Sequence, residues 1–124
     1  MPRKRPKHLD LKTIRLPLPG VISIMHRISG AALFLSLPIL LCLFQSSVTS
    51  PESFAGFKHA LANPLTKVFL LGVLWGFLHH LCAGIRYLAL DMHWGTDLKS
   101  ARSSSWAVLI VSILATVILG VRIW

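Results

Sequence analysis

A chain of 124 residues, 54% hydrophobic and only 14% charged, with a mean hydropathy of +0.68, belongs with membrane proteins, because a soluble core has no use for runs as apolar as 31–44 or 107–121. The net charge of +9 does not point to nucleic acid, since the cations gather at one end and beside one connection.

In chain order, residues 1–20 hold Pro2, Pro6, Pro17 and Pro19 and cannot form a continuous helix. They read as an arm on the cytoplasmic face that a partner surface orders. A first apolar span, 21–44, begins near Gly20 or Val21 and carries Ser23, His26, Arg27, Ser29 and Gly30 in its first turns. The polar, proline-containing lead and the length of this span argue against a cleaved signal peptide. Pro38 is expected to kink it, which neighbouring helices make tolerable in a membrane. Residues 45–53 read as an outer loop and 54–61 as a short amphipathic turn before Pro64. A second span, 65–90, ends near Asp91. Residues 92–105 read as a short cytoplasmic loop, with Trp94 and Trp106 at the interface. The third span, 106–123, ends at Trp124 on the opposite interface. Each span approaches or exceeds the ~20 residues that cross a ~30 Å hydrocarbon layer.

The expected fold is therefore an all-α membrane protein with three transmembrane helices, its arm at 1–20 and its membrane domain at 21–124. Arg3, Lys4, Arg5, Lys7, Lys12, Arg15 and Arg27 lie at or before the start of the first span, and Arg86, Lys99 and Arg102 surround the second connection. Only Lys58, Lys67 and Arg122 fall on the other side. This asymmetry puts the N-terminus in the cytoplasm. Cys42 and Cys82 both lie inside spans and read as packing residues, because two cysteines without a loop partner make neither a disulfide nor a closed zinc site.

His80 lies well inside the second span. An ionisable side chain in hydrocarbon is costly and marks a functional site by default. On a helix, residues four apart share a face, so His80 stands in a strip with Gly72, Gly76 and Gly84. Two readings fit. A flat porphyrin lies against the bare backbone with His80 as axial ligand, or the glycines admit another helix and His80 hydrogen-bonds across. At 1.5 Å per residue, His80 is ~9 Å from Arg86 at the cytoplasmic interface.

Ser23 and Arg27 share a face of the first helix, bordered by His26. An arginine suits a carboxylate such as a haem propionate, and a serine beside it can hold a quinone carbonyl and the charge that develops there on reduction. The competing reading is a helix end anchored by snorkelling. Arg86 and Asp91 are five apart and poorly aligned for a salt bridge. His79 points ~100° away from His80 and cannot ligate the same iron, while His8, His59 and His93 lie outside the spans. A six-coordinate haem thus needs its second ligand from another polypeptide. Three helices are few for a self-contained haem pocket, and the chain reads as one subunit of a larger assembly. A proton-linked transporter is disfavoured because no acidic residue lies inside a span.

The run Arg5-Pro6-Lys7-His8-Leu9-Asp10-Leu11, then Ser23-Ile24-Met25-His26-Arg27-Ile28-Ser29-Gly30, then His80-x-x-x-Gly84-Ile85-Arg86 with Asp91, resembles the large cytochrome b membrane-anchor subunit of succinate dehydrogenase across nearly the whole chain. The resemblance implies half of a heterodimeric helical anchor in the inner membrane of a bacterial cell. Such a subunit pairs with a small membrane-anchor subunit, and the two share one haem b between a histidine of each. They dock an iron–sulfur subunit and a flavoprotein subunit on the cytoplasmic side, and electrons from succinate pass through iron–sulfur centres to quinone. By position in the motifs, His80 is the axial ligand, Ser23 and Arg27 match quinone-site residues, and His26 with Arg27 lies near the propionates. The chain has no stand-alone activity on this reading. A haem-free structural anchor for a fumarate reductase-type complex is the alternative. One departure is Tyr87, where many relatives carry histidine.

Overall fold

The computed structural model describes residues 15–124; most of the expected cytoplasmic arm, including the run 5–11, lies outside them. Four helices follow one another: α1 Leu18–Val48, α2 Pro51–Ala62, α3 Pro64–Asp91 and α4 Leu98–Ile123. Three of them, α1, α3 and α4, are long and apolar enough to cross a membrane. The protein is an all-α membrane protein, as its composition indicated.

Local chemistry explains the helix ends. Pro17 caps α1 and Pro19 follows in its first turn, where a missing N–H costs nothing and the ring presets the backbone. The helix therefore starts at Leu18, earlier than the apolar pattern suggested, and continues through Pro38 to Val48. Residues 45–48 are helical and not loop. The stretch expected as a short turn is the whole of α2, opened by a reciprocal capping box: Ser53 N–H donates to Ser50 Oγ (3.1 Å) and Ser50 N–H donates to Ser53 Oγ (3.0 Å). Asn63 closes α2 and opens α3, its side chain accepting from Leu65 N–H at 2.8 Å, with Pro64 as the first helical residue.

The connection between α3 and α4 is shorter than the expected 92–105. It begins with a Schellman-type turn: Trp94 N–H donates to the Ala89 carbonyl (3.0 Å) and His93 N–H to that of Leu90 (2.9 Å). His93 takes the left-handed position at φ 63. Asp97 then caps α4, accepting from Ser100 N–H at 3.0 Å, so residues 98–105 form the first turns of a helix that precedes its apolar stretch.

The interior is built from small and polar groups. Ile22, Ala83 and Val108 are the buried hydrophobic residues among those described, beside buried Ser29, Ser36, His79, Arg86, Ser105 and Ser112. Large side chains such as Phe34, Leu35 and Leu65 face outward. Lipid is as apolar as leucine, so helices here associate through close backbone approach and internal polar contacts. The serines meet their own backbone: Ser36 Oγ donates to the Leu33 carbonyl (2.7 Å), Ser105 Oγ to that of Ala101 (2.7 Å) and Ser112 Oγ to that of Leu109 (3.0 Å). Helix α3 packs against both α1 and α4, which touch each other less extensively.

Candidate functional site

Where α3 crosses α1, His80 lies across the α1 segment His26–Gly30. Gly30 makes this approach feasible: a Cβ there would fall 2.8 Å from His80 Cε1 and 3.3 Å from Nδ1. His80 Nδ1 is 3.0 Å from the His26 carbonyl oxygen and 3.2 Å from Ser29 Oγ. A carbonyl oxygen only accepts, so Nδ1 carries the proton and donates. Ser29 Oγ in turn donates to the same carbonyl at 2.9 Å, leaving its lone pairs toward Nδ1–H. In the neutral ring Nε2 is then the nitrogen with a free lone pair. Nε2 has no hydrogen bond among the described residues and is not among the buried unpartnered nitrogens.

The His26 ring stacks on His80, with centroids 4.1 Å apart and planes 13° from parallel. Tyr87 also lies near the His26 ring, with centroids 5.2 Å apart and planes tilted by 51°. A Cβ on Gly84 would be 3.8 Å from His26 Nε2. The glycine strip is therefore divided: Gly84 and His80 lie against α1, whereas Gly72 and Gly76 meet nothing within 4 Å. Beside this open part, Ala32, Leu33 and Ser36 of α1 and a face of α3 that includes Val68, Gly72 and Gly76 line an apolar groove of about 300 Å³.

Ser23 is half-buried and Arg27 exposed, both on α1, one turn before His26 and immediately after it. His79 is 1% exposed, edge-on to Trp75 at 5.6 Å, and neither of its ring nitrogens has a partner. It stands apart from His80, as a one-residue offset on a helix requires. Arg86 is buried and turns to α4: Nε donates to Ser104 Oγ (2.9 Å) and Nη2 to the Ala101 carbonyl (3.3 Å). No group of three or more His, Cys, Asp or Glu side chains that could hold a metal ion exists among the described residues.

Sequence reasoning assigned no role to Ser29, Gly30 or the Tyr87 ring. Its available signal was the Ser29-Gly30 pair itself. A glycine inside a helix costs 0.5–1 kcal/mol relative to alanine, and a buried close contact is a common compensation.

A membrane-spanning helical bundle that presents one imidazole with a fixed tautomer where two of its long helices cross is the class these features define. Residues 1–119 match the family described as the succinate dehydrogenase/fumarate reductase transmembrane subunit, and the chain belongs to that family. It is similar to the succinate dehydrogenase cytochrome b556 subunit of Coxiella burnetii, 39% identical over the full length of both chains. It is similar also to the subunit of the same name from Paracoccus denitrificans, 34% identical over 92% of this chain and 88% of the relative. A more distant relative is the succinate dehydrogenase 2 membrane subunit SdhC of Mycobacterium tuberculosis, 26% identical over 86% of this chain and 81% of the relative.

Proposed function

We propose that the chain is the haem b-binding membrane-anchor subunit of a succinate:quinone oxidoreductase, with His80 Nε2 as one axial ligand. The carrying observation is the Nδ1–H bond to the His26 carbonyl at 3.0 Å. A metal-ligating histidine characteristically donates its other N–H to a carbonyl or carboxylate, which fixes the tautomer and raises ligand basicity. The residues present fit a haem held by one nitrogen from this chain and one from a small anchor subunit. Haem b held there would supply one-electron redox chemistry.

The chain's own groups supply the rest. The family membership supports a cytoplasmic N-terminus in a bacterial inner membrane, with the iron–sulfur and flavoprotein subunits docked on that side. Arg27 would bring positive charge, and His26 a ring N–H donor, to the haem propionates. The Ser23 hydroxyl and Arg27 guanidinium hold a quinone carbonyl oxygen and stabilise the negative charge that gathers on it during reduction. The exposure of Arg27 leaves it free to meet a ligand from outside the bundle.

The test is a dithionite-reduced-minus-oxidised spectrum of membranes co-expressing all subunits, wild type beside His80→Ala. Loss or displacement of a b-type α-band in the variant is the expected result. An unchanged band moves the ligand to another chain. No band in correctly assembled wild type makes this a haem-free anchor of the fumarate reductase type. Ser23→Ala and Arg27→Ala should lower quinone reduction while succinate oxidation with artificial acceptors stays intact.

A further inference from the structure

The geometry points to Ser29 and Gly30 as the seat of the His80 ring: positioning residues that set its tautomer and plane, and through them the redox poise of a haem bound at Nε2. This inference rests on the ligand role proposed for His80. Two contacts carry it. The first is steric. A Cβ at Gly30 would lie 2.8, 3.3 and 3.7 Å from His80 Cε1, Nδ1 and Nε2, so one edge of the ring rests on bare α1 backbone. The far end of a flexible chain could swing away, but an imidazole held by α3 below and stacked on His26 above has no such freedom. The second contact is electronic. Nδ1–H is shared between the His26 carbonyl and Ser29 Oγ, and Ser29 O–H donates to that carbonyl.

Such a closed set of hydrogen bonds polarises its members in one direction. Electron density pushed toward Nδ1–H makes Nε2 a better donor to the ferric ion, so the pair of acceptors lowers the haem potential. Ser29 therefore acts as a side-chain acceptor that mutation can remove, beside a backbone acceptor that it cannot. Gly30 keeps the ring close enough for both.

The experiment compares wild type, Gly30→Ala, Ser29→Ala, Ser29→Thr, Gly20→Ala and His80→Ala in the assembled complex. Its readouts are the haem midpoint potential and the low-spin ferric EPR g-values, which report axial imidazole orientation. Gly30→Ala should change the g-values and lower haem retention tenfold to a hundredfold, the usual range for outer-shell partners. Ser29→Ala should keep haem and raise the potential. Losing one acceptor reduces the preference for the ferric form by about threefold to tenfold, the upper end equal to about 59 mV for one electron. Ser29→Thr keeps the hydroxyl and restores the wild-type potential. Gly20→Ala, whose nearest neighbours would lie at 3.8 Å, leaves both readouts unchanged.

Should Gly30→Ala prevent assembly, Ser29→Ala alone decides. Wild-type potential and g-values in Ser29→Ala overturn the seat while leaving His80 as ligand. Unchanged haem in His80→Ala overturns the ligand reading and the seat with it.

Discussion

Replacing Arg86 by methionine tests what pins α3 to α4. The thioether retains much of the stem's packing and removes only the guanidinium. That group makes one good hydrogen bond, Nε to Ser104 Oγ at 2.9 Å, and one long one, Nη2 to the Ala101 carbonyl at 3.3 Å. A hydrogen bond from a charged donor contributes ~1.5–3 kcal/mol. Against this stands the cost of keeping a cation in a site 8% exposed. No acceptor is orphaned by the change, because Ser104 Oγ still donates to the Ala101 carbonyl (3.2 Å) and Ser105 Oγ reaches the same carbonyl at 2.7 Å. The expected net loss is therefore modest, ~1–2 kcal/mol. Reversible unfolding of the chain in mixed micelles measures it, and a double-mutant cycle with Ser104→Ala isolates the pair. A coupling of about 1 kcal/mol is expected, well above the ~0.3–0.5 kcal/mol scatter of independent sites. Additive effects, or an Arg86→Met variant as stable as wild type, would refute the claim that this contact joins the two helices.

Two other sites give checks of different kinds. His79 is buried with both ring nitrogens unpartnered, so His79→Leu should leave stability unchanged or raise it by up to ~1–3 kcal/mol; a loss of more than about 1 kcal/mol in the same micelle assay shows that those nitrogens have a partner in the assembly. At the start of α4, hydrogen bonds from Ser100 hold the exposed Asp97 carboxylate below its usual range. The stabilisation is thus complete above the ordinary aspartate value and is lost as pH falls through the lowered one. Amide exchange in the first turn of α4, corrected for its intrinsic pH dependence, should show protection falling in that acid window, whereas Asp97→Asn, which caps without titrating, should show none of this change.

The spans were legible because hydrocarbon imposes both length and composition, and neither depends on the neighbours. The ends were less so. Hydropathy locates where a segment becomes apolar, while helices start where caps allow, which is why α4 begins at Leu98, after Asp97, and α1 at Leu18, after Pro17. The site was half legible. Period and chemistry singled out His80, and the one-residue offset separated it from His79. What the sequence could not show was the partner of each face: that α1 brings Gly30 under the ring, that His26 stacks on it, and that Arg86 serves α4 and not Asp91. Those facts depend on which helices meet and at what height, and no single-helix period contains them.

The pairing of adjacent residues on α3 shows how one helix serves both demands. His79, Ala83 and Arg86 are buried, and Arg86 reaches α4, whereas His80 and Tyr87 lie against the α1 side through His26. The first set is spaced by four and three, and the second likewise once Gly84 is counted between His80 and Tyr87, so the two stripes run side by side about 100° apart. The first stripe joins the helices: it is small at Ala83, which is fully buried beside Ile22 and Val108, and hydrogen-bonded at Arg86, where a fixed height matters. The second holds an imidazole with its proton committed and its other nitrogen free. That arrangement holds only if the helix cannot slip, because moving the chain by one residue, a ~1.5 Å rise with a ~100° turn, would carry Nδ1 away from the His26 carbonyl. The Arg86 bonds to α4 and the Gly30 contact with α1 fix that height from opposite sides.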